Sequence, residues 1–331
     1  WHANVGFSTG YTPEEREKLV DVYMAKFKEV FGQYPTAIGS WFIDAHTLAY
    51  MYDKYHIVAS CNCRDQIGTD GYTLWGGYWH GGYYPSRKNA YMPAQTREGQ
   101  IPVPVFRMLG SDPIYQYDSG IGGNYQGVVT LEPVYGDAGG SETWVKWFFQ
   151  SMFEDPAMTM SYVQVGQENS FTWEAMKNGL EMQISMLSQL QKDNAIRIET
   201  LSETGRWYSR NYSTTAPSAI SALTDYKGTG KKTVWYNSKY YRANLFWEGD
   251  KFRFRDIHLF NENLASDYID KPGTTSTCVY TTLPFVDGNV WSSESFLSGL
   301  RLFYIDESGQ PVEAEGESPE ITHDDERLCV K

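Results

Sequence analysis

Acidic side chains that follow short apolar runs are the residues of this sequence best placed for chemistry. Asp44 follows Trp41-Phe42-Ile43, Glu132 follows Val128-Val129-Thr130-Leu131, and Glu168 follows Val163 to Gln167. In a parallel β/α domain the carboxyl ends of the strands converge on one mouth, so polar residues just past each run form the default site. The same rule collects Asn62, Arg64, Asp65, Arg107, Asp112 and Gln167, and finally Glu199 or Glu203. Two carboxyls facing one sugar, one kept protonated and one ionised, can serve as acid and as base or nucleophile in glycosidic cleavage. The pattern selects Glu168, partnered by Asp44 or Glu132. Each has a plainer reading: Asp44 stands where a helix N-cap belongs, and either glutamate could pair with Arg107.

Around these acids lies an unusual supply of rings. Aromatic residues make up 16% of the chain, with 25 Tyr and 11 Trp, and rings with a polar tip can stack on sugar faces while bonding hydroxyls. The stretch from Thr69 through Asp70, Trp75 and Tyr78 to Trp79 alternates rings with glycines and reads as a binding wall. Trp41, Arg107 and Tyr115 are expected to shape further subsites. The competing reading is that the rings staple a long loop onto the core.

Several chemistries are excluded. The six histidines, His2, His46, His56, His80, His258 and His323, form no i, i+4 pair, so no metal ligand set is expected. The serine-nucleophile string GxSxG and the phosphate-binding string GxxxxGK[ST] are both absent, and no cofactor is expected. A net charge of −13 without a basic cluster argues against nucleic acid and anionic membranes. No apolar run approaches the ~20 residues that cross a bilayer. Cys61, Cys63, Cys278 and Cys329 are too scattered for a disulfide framework and lack a second pair for zinc. The chain opens at Trp1 without a leader, so its compartment, cytoplasmic or exported, and its oligomeric state stay open.

The elements that must position these residues follow from periodicity. Thr12-Pro13-Glu14-Glu15 is a capping box that opens a helix running to Phe31 and stopping at Gly32. Strands are expected at 36–43, 57–61, 101–109, 127–131, 157–165 and 196–199, with helices from Asp44 to Tyr55, Ser141 to Phe153, Thr172 to Lys192 and Glu203 to Tyr212. This alternation predicts a mainly parallel sheet or barrel. Beyond Ser213 the texture changes to short strands and Gly, Asn and Asp turns, with a hairpin at Glu248-Gly249-Asp250 and an acidic stretch near 313–320. The expected organisation is α/β: a distorted or incomplete β/α barrel over residues 1–212, then a β-sandwich-like domain over 213–331.

The strings Trp1-His2-Ala3-Asn4, Phe31-Gly32-Gln33-Tyr34-Pro35 and Gly39-Ser40-Trp41-Phe42-Ile43-Asp44 resemble the polysaccharide-deacetylase-like superfamily of glycoside hydrolase/deacetylase barrels. Ala59 to Gln66 and Tyr83-Tyr84-Pro85-Ser86-Arg87 are similar to bacterial members that carry a C-terminal β-sandwich. The resemblance covers most of residues 1–212 and implies a distorted barrel acting on an oligo- or polysaccharide, the family's first catalytic aspartate falling before Trp1. The family's histidine pair and its Arg-x-Pro-Tyr segment do not appear, Gly39-Ser40-Trp41 standing in the place of the latter. A paired-carboxylate glycoside hydrolase is therefore the leading expectation, ahead of a metal-dependent deacetylase and of a non-catalytic glycan-binding protein.

Overall fold

A computed structural model describes the chain except for residues 1–7, 69–74, 109, 169, 276–278, 280 and 317–318. Asp70, His2, Cys278 and the opening string Trp1 to Asn4 lie outside the described residues. The elements run α1 (Pro13–Phe31), β1 (Ala37–Gly39), α2 (Ala45–Tyr55), β2 (Ala59–Asn62), β3 (Gly82–Tyr83), β4 (Pro85–Ser86), β5 (Asn89–Pro93), β6 (Val105–Arg107), α3 (Glu142–Phe153), α4 (Trp173–Lys192) and α5 (Leu201–Asn211). They continue with β7 (Ser218–Ala222), β8 (Lys231–Asn237), β9 (Tyr241–Glu248), β10 (Lys251–Leu259), β11 (Leu283–Asp287), β12 (Phe303–Ile305), β13 (Pro311–Glu313), β14 (Ile321–His323) and β15 (Leu328–Val330).

The chain divides into two compact units, each assembled from three stretches: residues 1–108, 199–216 and 260–283 in the first, and 109–198, 217–259 and 284–331 in the second. In the first unit a four-stranded sheet has the order β1-β2-β6-β3, with β1, β2 and β6 parallel and β3 antiparallel to β6. Helix α1 forms as its sequence dictates. Thr12 accepts from the Glu15 amide, Glu15 accepts in return from the Thr12 amide, and Gly32 closes the helix at φ 78°. Helix α5 lies so close to β2 that a Cβ on Gly205 would stand 2.5 Å from that of Ala59. Only glycine permits this approach. The core beneath gathers Met24, Phe42, Leu48, Tyr91, Val105 and Tyr268, with Phe42 stacked on Tyr91 at 5.2 Å. Beyond the ring-rich stretch that ends at Trp79, the chain forms β3, β4 and β5.

In the second unit one sheet has the order β11-β10-β9-β8-β7, with β7 to β10 antiparallel to one another in turn, and the turn at Gly249 joins β9 to β10 as the sequence predicts. Two further hairpins, β12-β13 and β14-β15, follow. Helix α3 packs on β7 through a core in which Trp144 stacks on Phe148 at 4.7 Å.

Among the described residues the protein is thus a mixed α/β fold of five helices, one partly parallel sheet and several antiparallel ones, and no sheet closes on itself. Three expected strands do not form. Residues 127–131 make only the bridge Thr130 to Ser111, and 157–165 only the bridge Met158 to Ala219. Residues 196–199 merely lead from the left-handed Asn194 after α4 to the α5 cap at Thr200. In the first two runs the backbone groups bond singly to irregular neighbours, as when the Asp112 amide donates to the Val129 carbonyl, and in the third residues 197–199 are exposed.

Candidate functional site

In the first unit the carboxyl ends of β2 and β6 meet in register, Asn62 beside Arg107. Just past β2 the chain turns, bringing Asp65 Oδ1 within 2.9 Å of Arg107 Nη2. Both side chains are buried, so this is a dry ion pair. The Gly76 amide donates to the other Asp65 oxygen at 3.4 Å. Asn62 Nδ2 donates to the Tyr83 hydroxyl at 3.1 Å, and that hydroxyl donates to the Ala90 carbonyl at 2.6 Å. Burial pushes the Tyr83 hydroxyl up, against the pull of the Arg107 charge beside it. Arg107 Nε and Nη1 have no hydrogen-bond partner among the described residues. Arg64 is buried next in chain to this network. Of the residues selected from sequence, the strand ends therefore bring together Asn62, Asp65 and Arg107.

Asp44 also belongs to the first unit, and both its oxygens are engaged. Oδ1 accepts from the Thr47 amide at 3.0 Å and lies 3.2 Å from Arg16 Nη1, while Oδ2 accepts from the Thr47 hydroxyl at 2.6 Å. With 1% exposure it is a helix cap paired to a buried arginine. Trp41 is partly buried against the core. Trp75 and Tyr78 are buried rather than displayed: Tyr78 stacks on Tyr83 at 5.1 Å and donates to the Ala216 carbonyl at 3.1 Å. These two rings hold their loop down, which leaves no open face for a sugar.

The second unit carries the remaining acids. Glu132, 1% exposed, accepts from the Thr130 hydroxyl at 2.9 Å and from Gln167 Nε2 at 3.2 Å. Gln167 completes a clamp by accepting the Val134 amide at 3.1 Å through its own oxygen. Helix α4 sets this loop. Its buried Gln183 donates to the carbonyls of Leu131 and Gly139 at 2.7 and 2.6 Å, and Gly179 lies against the Pro133 backbone. Glu168 is half-buried and accepts from the Ser170 hydroxyl.

Asp112 accepts from Trp144 Nε1 at 2.8 Å and from the Ile114 and Tyr115 amides at 2.8 and 2.7 Å. Burial lifts its carboxyl to about 6, against the pull of these donors. The Tyr115 hydroxyl donates to Asp225 at 2.8 Å, and the Lys227 ammonium lies 4.0 Å from its ring centre. A half-exposed ring with a cation on one face is bound up with local structure, so Tyr115 and Asp112 chiefly organise this segment.

Sequence reasoning missed the densest polar cluster. Arg242, Asp256 and His258 are fully buried in the five-stranded sheet, with the Tyr117 hydroxyl donating to Asp256 at 2.8 Å. Arg255, equally buried, donates to Asn244 at 2.7 Å and to the Ile114 carbonyl at 2.8 Å. The signal was the run Arg253-Phe254-Arg255-Asp256, which reads as a solvent-facing strand yet turns its charges inward.

Among the described residues no group of three or more His, Cys, Asp or Glu side chains is arranged to hold a metal ion. No described helix is long and apolar enough to cross a membrane. The geometry joins Glu132 to Gln167, the residue before Glu168, and closes Asp65 and Arg107 into a buried ion pair.

No protein-family model matches the sequence, and no curated protein matches it. Among solved structures, the chain is similar to a candidate glycoside hydrolase/deacetylase from Parabacteroides distasonis, at 15% identity and a TM-score of 0.67. The match covers 80% of this chain and 66% of the solved one, so the chain spans just under two thirds of that protein's length. The two proteins share a fold.

Proposed function

We propose that this protein is a carbohydrate-active hydrolase that cleaves glycosidic bonds with Glu132 and Glu168 as its paired carboxyl groups. The observation that carries the reading is the contrast in their housing, joined through one residue. Glu132 is dry and clamped by Thr130 and Gln167, while the next residue, Glu168, is open enough to meet solvent. Contrasting environments are what divide two carboxyls into acid and base or nucleophile. On this reading Glu132 gives the proton to the leaving oxygen, and Glu168 attacks or activates water. Asp44 is left out, because its two oxygens already serve α2 and Arg16. The shared fold with the Parabacteroides protein supports the carbohydrate class. It also supports reading the partly parallel sheet as part of a divergent, unclosed β/α barrel.

The test is a screen of the protein against aryl glycosides and acetylated sugars, with and without chelator. Sugar release that chelator leaves unchanged supports the proposal. Acetate release that chelator abolishes, or glycan binding without turnover, overturns it.

A further inference from the structure

One buried amide ties helix α4 to the segment that carries Glu132. Gln183 is fully buried, and its Nε2 donates to the Leu131 carbonyl at 2.7 Å and to the Gly139 carbonyl at 2.6 Å. Those two acceptors are the ends of a single loop. The Gly139 amide donates to the Thr130 carbonyl at 2.9 Å, and a Cβ on Gly139 would stand 2.3 Å from the Leu131 carbonyl oxygen, so the ends touch. One turn earlier on the same face of α4, Gly179 meets the loop from above: a Cβ there would lie 2.4 Å from the Pro133 carbonyl oxygen. The residues on either side of Glu132 are therefore both gripped by α4.

The chemistry of Gln183 shows what the grip serves. Its side-chain oxygen is buried without a hydrogen-bond partner, and an acceptor left so is destabilising. An apolar side chain of similar size would fill the space without that cost. What it would lack is the pair of donors that closes the loop. The far end of the same helix bears on the other carboxyl, because Glu168 lies shortly before Thr172, the N-cap of α4. We infer that Gln183 is a positioning residue for Glu132, acting through the 131–139 loop, and that α4 sets where the Glu132 carboxyl stands. The inference rests on the reading of Glu132 and Glu168 as the paired carboxyls, whose separation governs the reaction they perform.

Hydrogen exchange and kinetics on the whole chain test it. Gln183→Met keeps the volume and removes both donors, so the amides of 131–139 should exchange at least about tenfold faster, while those of β7 to β10 keep their rates. On a hydrolysed aryl glycoside, kcat per folded molecule should fall by about 10²-fold with KM within about twofold, the split expected of a displaced carboxyl. Gly179→Ala alters no polar group but pushes α4 off Pro133, and it should lower kcat in the same way even if Gln183→Met fails to fold. Gln189→Met, on the exposed side of α4, should leave both readings as they are. Unaltered exchange of 131–139 in Gln183→Met would overturn the inference. So would wild-type kcat in the folded Gln183 and Gly179 variants while Glu132→Gln is slowed. An unslowed Glu132→Gln would instead remove the paired-carboxyl reading itself, and the inference with it.

Discussion

Arg242 grips Asp256 with two parallel hydrogen bonds, Nε to Oδ1 and Nη2 to Oδ2, each 2.8 Å long and neither side chain exposed. His258 Nδ1 stands 3.1 Å from the same Oδ1. Removing one partner of a buried pair strands the other charge in a dry setting. Asp256→Ala is therefore expected to cost about 3–5 kcal/mol in denaturant unfolding; a loss below about 1 kcal/mol would mean that water reaches Arg242.

The same pair sets a limit in acid. Burial works to raise the Asp256 carboxyl, but Arg242 and His258 outweigh it and hold the group well below its usual range. A depressed folded-state value means that the unfolded chain binds the proton more readily. The contribution is thus present above about pH 4 and is lost as pH falls below it. Unfolding monitored from pH 5 to 2 should show a steep loss of stability that Asp256→Asn flattens.

Asp112 acts with the opposite sign. Its carboxyl is raised to about 6 by burial, so the folded protein holds this proton more tightly than the unfolded chain. Stability from this group is present below about pH 4 and declines through pH 6, by about 2–3 kcal/mol in total. In Asp112→Asn, the wild-type-minus-variant difference in unfolding free energy should shrink by that amount between pH 4 and pH 7. A constant difference would count against the raised value.

For the proposed hydrolysis, Glu168→Gln and Glu132→Gln should each lower kcat by about 10²–10⁴-fold. Unchanged rates in both variants would remove these residues from the chemistry.

Gly205→Ala tests the packing of α5 on β2. The added methyl would stand 2.5 Å from the Ala59 Cβ and 2.6 Å from the Val58 carbonyl oxygen, both attached to sheet backbone. Overpacking of this kind costs about 1–3 kcal/mol, read as a lowered Tm. An unchanged Tm would show that the helix can shift outward freely.

Local signals were legible and long-range ones were not. The capping box at Thr12, the cap at Asp44 and the hairpin at Gly249 depend on neighbours within four residues, and each forms as its residues predict. Strand 127–131 fails because apolar content cannot tell a laddered strand from a buried irregular run. The buried charges of strand β10 escape a sequence reading for a different reason. A register shift between Phe254 and Asp256 places consecutive Arg255 and Asp256 both inside, which strict alternation forbids. At the candidate sites, the strand-end rule selected Asp65 and Arg107 separately, but it offered Glu132 or Glu168 as the partner of Arg107, which Asp65 takes instead. It could not see that both oxygens of Asp44 are spent on Thr47 and Arg16, since Arg16 lies 28 positions earlier in the chain.

Arg16 carries one more implication, for the order in which the protein comes together. Its guanidinium donates to the carbonyls of Tyr268 and Lys271, the first of them 252 residues further on. A nascent chain leaving the ribosome therefore holds an Arg16 that already has Asp44, Tyr11 and Thr9 within reach but lacks two of its carbonyl acceptors. The first half of the polypeptide must wait for the 260–283 stretch before that guanidinium is fully hydrogen-bonded, so chaperones would meet it as an open intermediate. Fragments cut before residue 260 would inherit that defect permanently.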